Sequence, residues 1–168
     1  IWDDGYPSGG NYWSDYTGED KNNGPNQDNS GSDGIGDQQY VIFTDYIRDR
    51  YPLTGIFSNF NATSEYHVQT ISNSNISDFK FNGTAISFNV TGENGTSGFC
   101  RLTIPHTLLS PPYNVTVNDN LVAYTPIFEN DTLSIIYFNY TLSTKEVIIV
   151  PEFPSFLILP LFMIATLL

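Results

Sequence analysis

The sequence predicts an all-β chain, and three observations lead there. Its 168 residues include 11 Tyr and 12 Phe, and aromatic residues, like β-branched ones, suit a pleated, half-buried surface. From Ile76 to Val150 apolar and polar residues alternate in short runs broken by turn residues, the period of strands with one buried face. Ahead of them, Trp13 to Asp37 holds six acids, one Lys and no aliphatic residue before Ile35. Such a segment lacks the apolar surface to fold by burial and reads as an irregular cap.

The net charge is −12, from 18 acids against 6 bases, which makes nucleic acid a poor partner. It is uneven, because residues 1–37 carry eight of the acids and a single Lys. Cys100 is the only cysteine, so no disulfide closes within the chain, and stability has to come from packing, metal or glycan. Mid-strand beside Phe99 and Leu102, it reads as a buried structural thiol. The chain begins at Ile1 and stops inside an apolar run, and we expect it to be the C-terminal piece of a longer protein.

Ile1 to Tyr16 sets Trp2, Tyr6, Tyr12, Trp13 and Tyr16 among Gly, Pro and Asp, which is turn chemistry with large side chains to bury. The expected role is a cluster covering the open end of a β-structure, with a sugar-stacking surface as the alternative.

In the acidic loop, carboxylates about 4 Å apart repel by roughly 4 kcal/mol at an effective dielectric of 20. Either the loop stays swollen in water or a hard cation collapses it. From Asp28 to Asp37 oxygen-bearing side chains recur at alternate positions and then converge through Gly34 and Gly36, with Ile35 free to plug into a core. Ca²⁺ takes six to eight oxygens from carboxylates, amides and main-chain carbonyls, whereas Mg²⁺ rarely uses an all-protein cage. The expected ligands are Asp28, Asp33 and Asp37, joined by Asp20, Asn22 and Ser30. A solvated acidic loop without a tight site is the competing reading.

The run WDDGYPSGGNYWSDYTGED, then DNSGSDGIGD, Gln39-Tyr40-Val41-Ile42 and Asp49-Arg50-Tyr51-Pro52-Leu53 resembles the end of NosD-like right-handed parallel β-helix proteins, many of them archaeal and surface-exposed. The resemblance spans about residues 1–53. It implies that coils of a β-helix precede this chain and that 1–53 closes them. Proteins of that kind carry copper-binding or carbohydrate-binding and hydrolysis labels. Copper wants His, Cys or Met, and His67, His106, Cys100 and Met163 are scattered.

Residues 54–75 read as a linker holding one strand at Tyr66–Ile71, with His67 on its surface. Beyond them, about seven short strands over 76–150 argue for an immunoglobulin-like β-sandwich, with His106 exposed at a strand end. It also resembles sandwich modules found ahead of the anchors of archaeal surface proteins. Eight Asn-x-Ser/Thr acceptors, at Asn61, Asn75, Asn82, Asn89, Asn94, Asn114, Asn130 and Asn139, all lie beyond the acidic loop and make N-linked glycans expected partners. Val150-Pro151-Glu152-Phe153-Pro154-Ser155 resembles an archaeal PEF-type sorting segment. It leads into Phe156–Leu168, apolar except for Thr166, read over 151–168 as the start of a transmembrane helix.

The functional expectation is a non-enzymatic structural or adhesion protein with no catalytic residues. It is calcium-stabilised, anchored to the membrane at its C-terminus, and displayed on the extracellular face toward surface polysaccharide or envelope proteins. The alternative is part of a β-helix carbohydrate-binding protein or polysaccharide hydrolase or lyase, with Asp3, Asp4 and Asp15 beside Trp2, Trp13 and Tyr16.

Overall fold

The structure, a computed structural model, describes residues 2–43 and 46–152. The described residues form fourteen strands and no helix, so this part of the chain is all-β. Two short ribbons make up the regular part of the cap. In one, β1 (Asn22–Asn23) pairs with β2 (Asn29–Ser30); in the other, β3 (Tyr40–Phe43) pairs with β4 (Ile47–Asp49). Ten longer strands follow: β5 (Ile56–Asn61), β6 (His67–Ser72), β7 (Asn75–Phe81), β8 (Ile86–Thr91), β9 (Ser97–Pro105), β10 (Tyr113–Val117), β11 (Asn120–Val122), β12 (Thr125–Glu129), β13 (Leu133–Thr141) and β14 (Lys145–Pro151).

These ten strands divide into two open antiparallel sheets of five. One has the order β12-β13-β9-β6-β5 and the other β11-β10-β14-β8-β7. The inward residues of both sheets, among them Val68, Leu102 and Phe138 from the first and Phe88, Val115 and Ile149 from the second, form one buried cluster. Alternation explains the second sheet simply, since buried Ile86, Phe88 and Val90 alternate with half-buried Ser87 and Asn89.

The first sheet is different. Along β9 every residue from Gly98 to Leu102 is buried, because both of its faces are covered. Cys100, Leu102 and Ile104 enter the sandwich core. Phe99 turns the other way, into a second cluster with Ile71, Tyr137 and the cap residues Ile35 and Leu53. The molecule is therefore three layers deep where the cap sits, and Ile35 does plug into a core.

The linker expected over 54–75 is corrected. Residues 56–61 and 67–72 are β5 and β6, paired with each other in unbroken register, and β6 pairs in turn with β9. The segment is a hairpin of the sheet because Val68 and Ile71 are apolar enough to be buried from both sides. Eight strands, β7 to β14, stand where about seven were expected, and β5 and β6 bring the two sheets to ten. His67 is exposed as expected, but His106 is half-buried and its Nε2 lies 2.8 Å from Ser134 Oγ. Cys100 is fully buried, and burial pushes its thiol far above the usual range. No described helix is long and apolar enough to cross a membrane, and the anchor expected after Glu152 lies outside the described residues.

Candidate functional site

Three cap segments meet the outer face of the first sheet: residues 4–12, the loop 19–37, and Asp49 to Leu53. Their carboxylates are engaged mainly by main-chain N–H groups. Asp20 accepts from the amides of Asp33 (3.0 Å) and Gly34 (2.8 Å), and from Thr54 Oγ1 at 3.4 Å. Asp33 is fully buried and accepts from the Ile35 amide (2.9 Å) and from Gln27 Nε2 (3.1 Å). Asp37 accepts from the Asn22 amide (3.1 Å), Asn22 Nδ2 (2.9 Å) and the Lys21 amide. Asp49, also buried, binds the amides of Asn11 (2.7 Å) and Tyr51 (3.0 Å) and Trp13 Nε1 (2.9 Å). Charge-assisted bonds of this kind are about twice as strong as neutral ones, and they knit a segment that hydrophobic burial cannot.

The electrostatics remain costly. Burial pushes Asp20 up to about 6, against the lowering effect of its two amides, and burial raises Asp33 as well. Arg101 on β9, itself buried, reaches across from the sheet. Its Nη1 donates to the Asp33 carbonyl at 3.1 Å and its Nη2 to the Pro7 carbonyl. Burial lowers its pKa while Asp33 and Asp20 nearby raise it. Gly34, at φ 84°, turns the chain directly over this side chain. An added Cβ would lie 3.3 Å from Arg101 Cδ and 3.5 Å from Phe99 Cε2.

The six expected calcium ligands do not converge as one set. Asp20 and Asp33 are neighbours, and Asp37 holds Asn22. Asp28 and Ser30 lie on the exposed rim, with Ser30 opposite Asn22 in the β1–β2 ribbon. Among the described residues, no group of three His, Cys, Asp or Glu side chains is placed to share a metal. One observation does fit a cation. Gln27 Oε1 is buried without a hydrogen-bond partner, while the same amide's Nε2 bridges Asp33 and the Gly24 carbonyl. Tyr6 also faces Asp33 and Gly24. Gln27 and Tyr6 thus surround Asp33, with the Gly24 carbonyl beside them, and spacing alone did not reveal these neighbours.

The aromatic cluster is built as a cap in part. Trp13 stacks on Tyr40 with centroids 4.5 Å apart, and Tyr40 donates to Asp15 at 2.8 Å. Asp3 is taken by Arg50 through both oxygens, and that pairing holds its carboxyl below the usual range. Trp2 and Tyr12 stay about half exposed.

Beneath residues 4–12 a cleft of about 720 Å³ runs across the outer face of the first sheet. Asp4, Asn11 and Tyr12 line one side, with Phe57, Gln69 and Thr103 opposite. Sequence reading missed it because one wall comes from the segment read as a linker. No protein-family model matches the chain, and no curated protein or solved structure is significantly similar to it.

Proposed function

We propose that this chain is a non-enzymatic structural module of a cell-surface protein, in which an acidic joint connects a NosD-like β-helix to a sandwich standing off the membrane. The observation that carries the reading is Arg101. A single buried guanidinium on the central strand holds carbonyls from two separate cap segments, so the acidic stretch is built as a rigid joint and not as a tether. The sandwich is close to immunoglobulin-type modules in its antiparallel pairing, with ten strands against the seven or nine of that fold. Asp3 and Asp15 are committed to Arg50 and Tyr40, which supports leaving them out of any catalysis.

Calcium belongs to the same proposal. Asp20, Asp33 and the Gln27 carbonyl are the set that would hold it, with Asp37 and Asn22 adjacent, and the ion would neutralise carboxylates that burial disfavours. Support for glycans is that all eight acceptor Asn residues are exposed or half-buried. The apolar C-terminal run would supply the membrane anchor. Thermal unfolding in calcium and in chelator tests the metal. A ligand at 100 times its dissociation constant adds about 2.7 kcal/mol, and an unchanged midpoint removes calcium from the reading.

A second reading, carbohydrate binding without turnover, is favoured by the cleft. Tyr12 and Phe57 offer half-exposed rings on its two walls, flanked by the amides of Asn11 and Gln69. A glycan array that Tyr12→Ala and Phe57→Ala leave unchanged would exclude the cleft from that role.

A further inference from the structure

Each open sheet presents two edge strands, and three of the four edges are blunted. Strand β11 is only three residues long. Strand β7 carries a register shift between Ser77 and Lys80, with Asp78 at φ 53° and a charged Lys80. Strand β12 is broken by a register shift beside Pro126. These are the devices by which sheets avoid pairing with one another.

Strand β5 has none of them. Ile56-Phe57-Ser58-Asn59-Phe60-Asn61 pairs with β6 without interruption and contains neither charge nor proline. It is the last strand of its sheet. Ile56 and Phe57 are 57% and 48% exposed.

The orientation of its free main-chain groups follows from the turn. Ala62 N–H donates to the Tyr66 carbonyl, and the register continues through Asn61 opposite His67. Hydrogen-bonded and non-bonded pairs alternate along an antiparallel ladder. The bonded pairs are therefore Phe60 with Val68, Ser58 with Thr70 and Ile56 with Ser72, and the amides and carbonyls of Phe57, Asn59 and Asn61 face outward. Among the described residues no backbone bond reaches them.

We propose that this edge pairs with the β5 edge of a second copy of the chain, antiparallel about a twofold axis through Asn59. Three considerations select that occupant. The register that uses every outward group sets Asn59 against Asn59 of the other copy and Phe57 against Asn61, so the edge is complementary to itself. Residues opposed in this way share a face, which continues each sheet into one of ten strands. In a chain of net charge −12, two copies repel through most of their surface, and an uncharged edge is where they can approach. Phe57 also lines the cleft, so pairing would bring two clefts side by side across the axis. A glycan on Asn61 would stand against Phe57 of the other copy and oppose the pairing.

The test is analytical sedimentation of the 168-residue chain in detergent, checked by light scattering, together with thiol cross-linking. A reversible dimer is expected. Asn59→Pro, which removes an outward N–H and leaves the β6 ladder intact, and Phe57→Lys, which charges the edge, should each weaken it about tenfold or more. A short bis-maleimide should join Asn59→Cys chains, whose Cα atoms lie about 5.5 Å apart in a bonded pair. It should not join Asn61→Cys chains, offset by four residues or about 14 Å. Buried Cys100 stays silent in both. A chain that stays monomeric at high micromolar concentration overturns the proposal, including one that instead captures an unrelated extended peptide. So does a dimer indifferent to both edge substitutions, or equal cross-linking at 59 and 61.

Discussion

Replacing Arg101 by Met keeps most of the aliphatic stem and removes only the guanidinium. The buried carbonyl of Asp33 and the partly buried one of Pro7 then lose their donor. An orphaned buried acceptor costs about 1–3 kcal/mol. Relief of the desolvation that lowers the Arg101 pKa offsets part of this, and loss of a positive neighbour for Asp33 and Asp20 adds to it. The expected net loss is about 2–4 kcal/mol, or roughly 4–16 °C in midpoint for a chain of this size. The assay is urea and thermal unfolding, with amide exchange read at residues 9–11 and 34–36. Those amides should exchange faster while the β8 and β14 amides keep their protection. Arg101→Lys, with one compact head group, can serve only one of the carbonyls and should fall between. A Met variant within about 0.5 kcal/mol of the native chain, with unchanged exchange in the cap, would refute the claim that this side chain joins the layers.

Two further outcomes follow from the same geometry. Asp20 titrates at about 6 in the fold against an ordinary 3.8, so the folded state keeps a proton that the unfolded chain releases between those values. Its contribution to stability is therefore greatest below pH 3.8 and is lost as pH rises through about 6, by at most about 3 kcal/mol. Measured in chelator, the difference between the native chain and Asp20→Asn should show that slope, and a difference flat from pH 4 to 7 would contradict it. Gly10→Ala would drive a Cβ into the Asp49 carboxylate. Loss of its bonds to Asn11 and Trp13 should cost about 2–3 kcal/mol and move Trp fluorescence, whereas an unperturbed emission spectrum would mean the carboxylate has room to shift.

How much was legible in the sequence depended on whether a residue's environment was local. Strands β8, β10 and β14 could be read from alternation because one face of each meets a core and turns such as Asn118-Asp119 bound them. Ile35 could be placed because it is the lone aliphatic in a polar stretch. Strand β5 was not legible, since its residues are mostly exposed and its apolar positions are divided, with Phe57 on the cleft and Phe60 stacked on Phe79 of the opposite sheet. The acidic loop was legible as a place of unusual chemistry but not in its detail. Spacing counts carboxylates, and cannot tell that Asp20 will spend its oxygens on the amides of Asp33 and Gly34. Arg101 was missed for a related reason. A cation within an apolar strand gives no sign of its partners when they are carbonyls some 68 and 94 residues away.

Strand β9 lends one face to each of two layers, and that sharing bears on heredity. Phe99 and Arg101 are matched to Gly34 and Ile35, while Cys100 and Leu102 answer to the opposite sheet. Exchange of the first fifty residues for a foreign segment would leave an aromatic and a guanidinium without their counterparts. The two halves are thus bound to be inherited as a pair, and drift at either side of the seam has to be answered on the other.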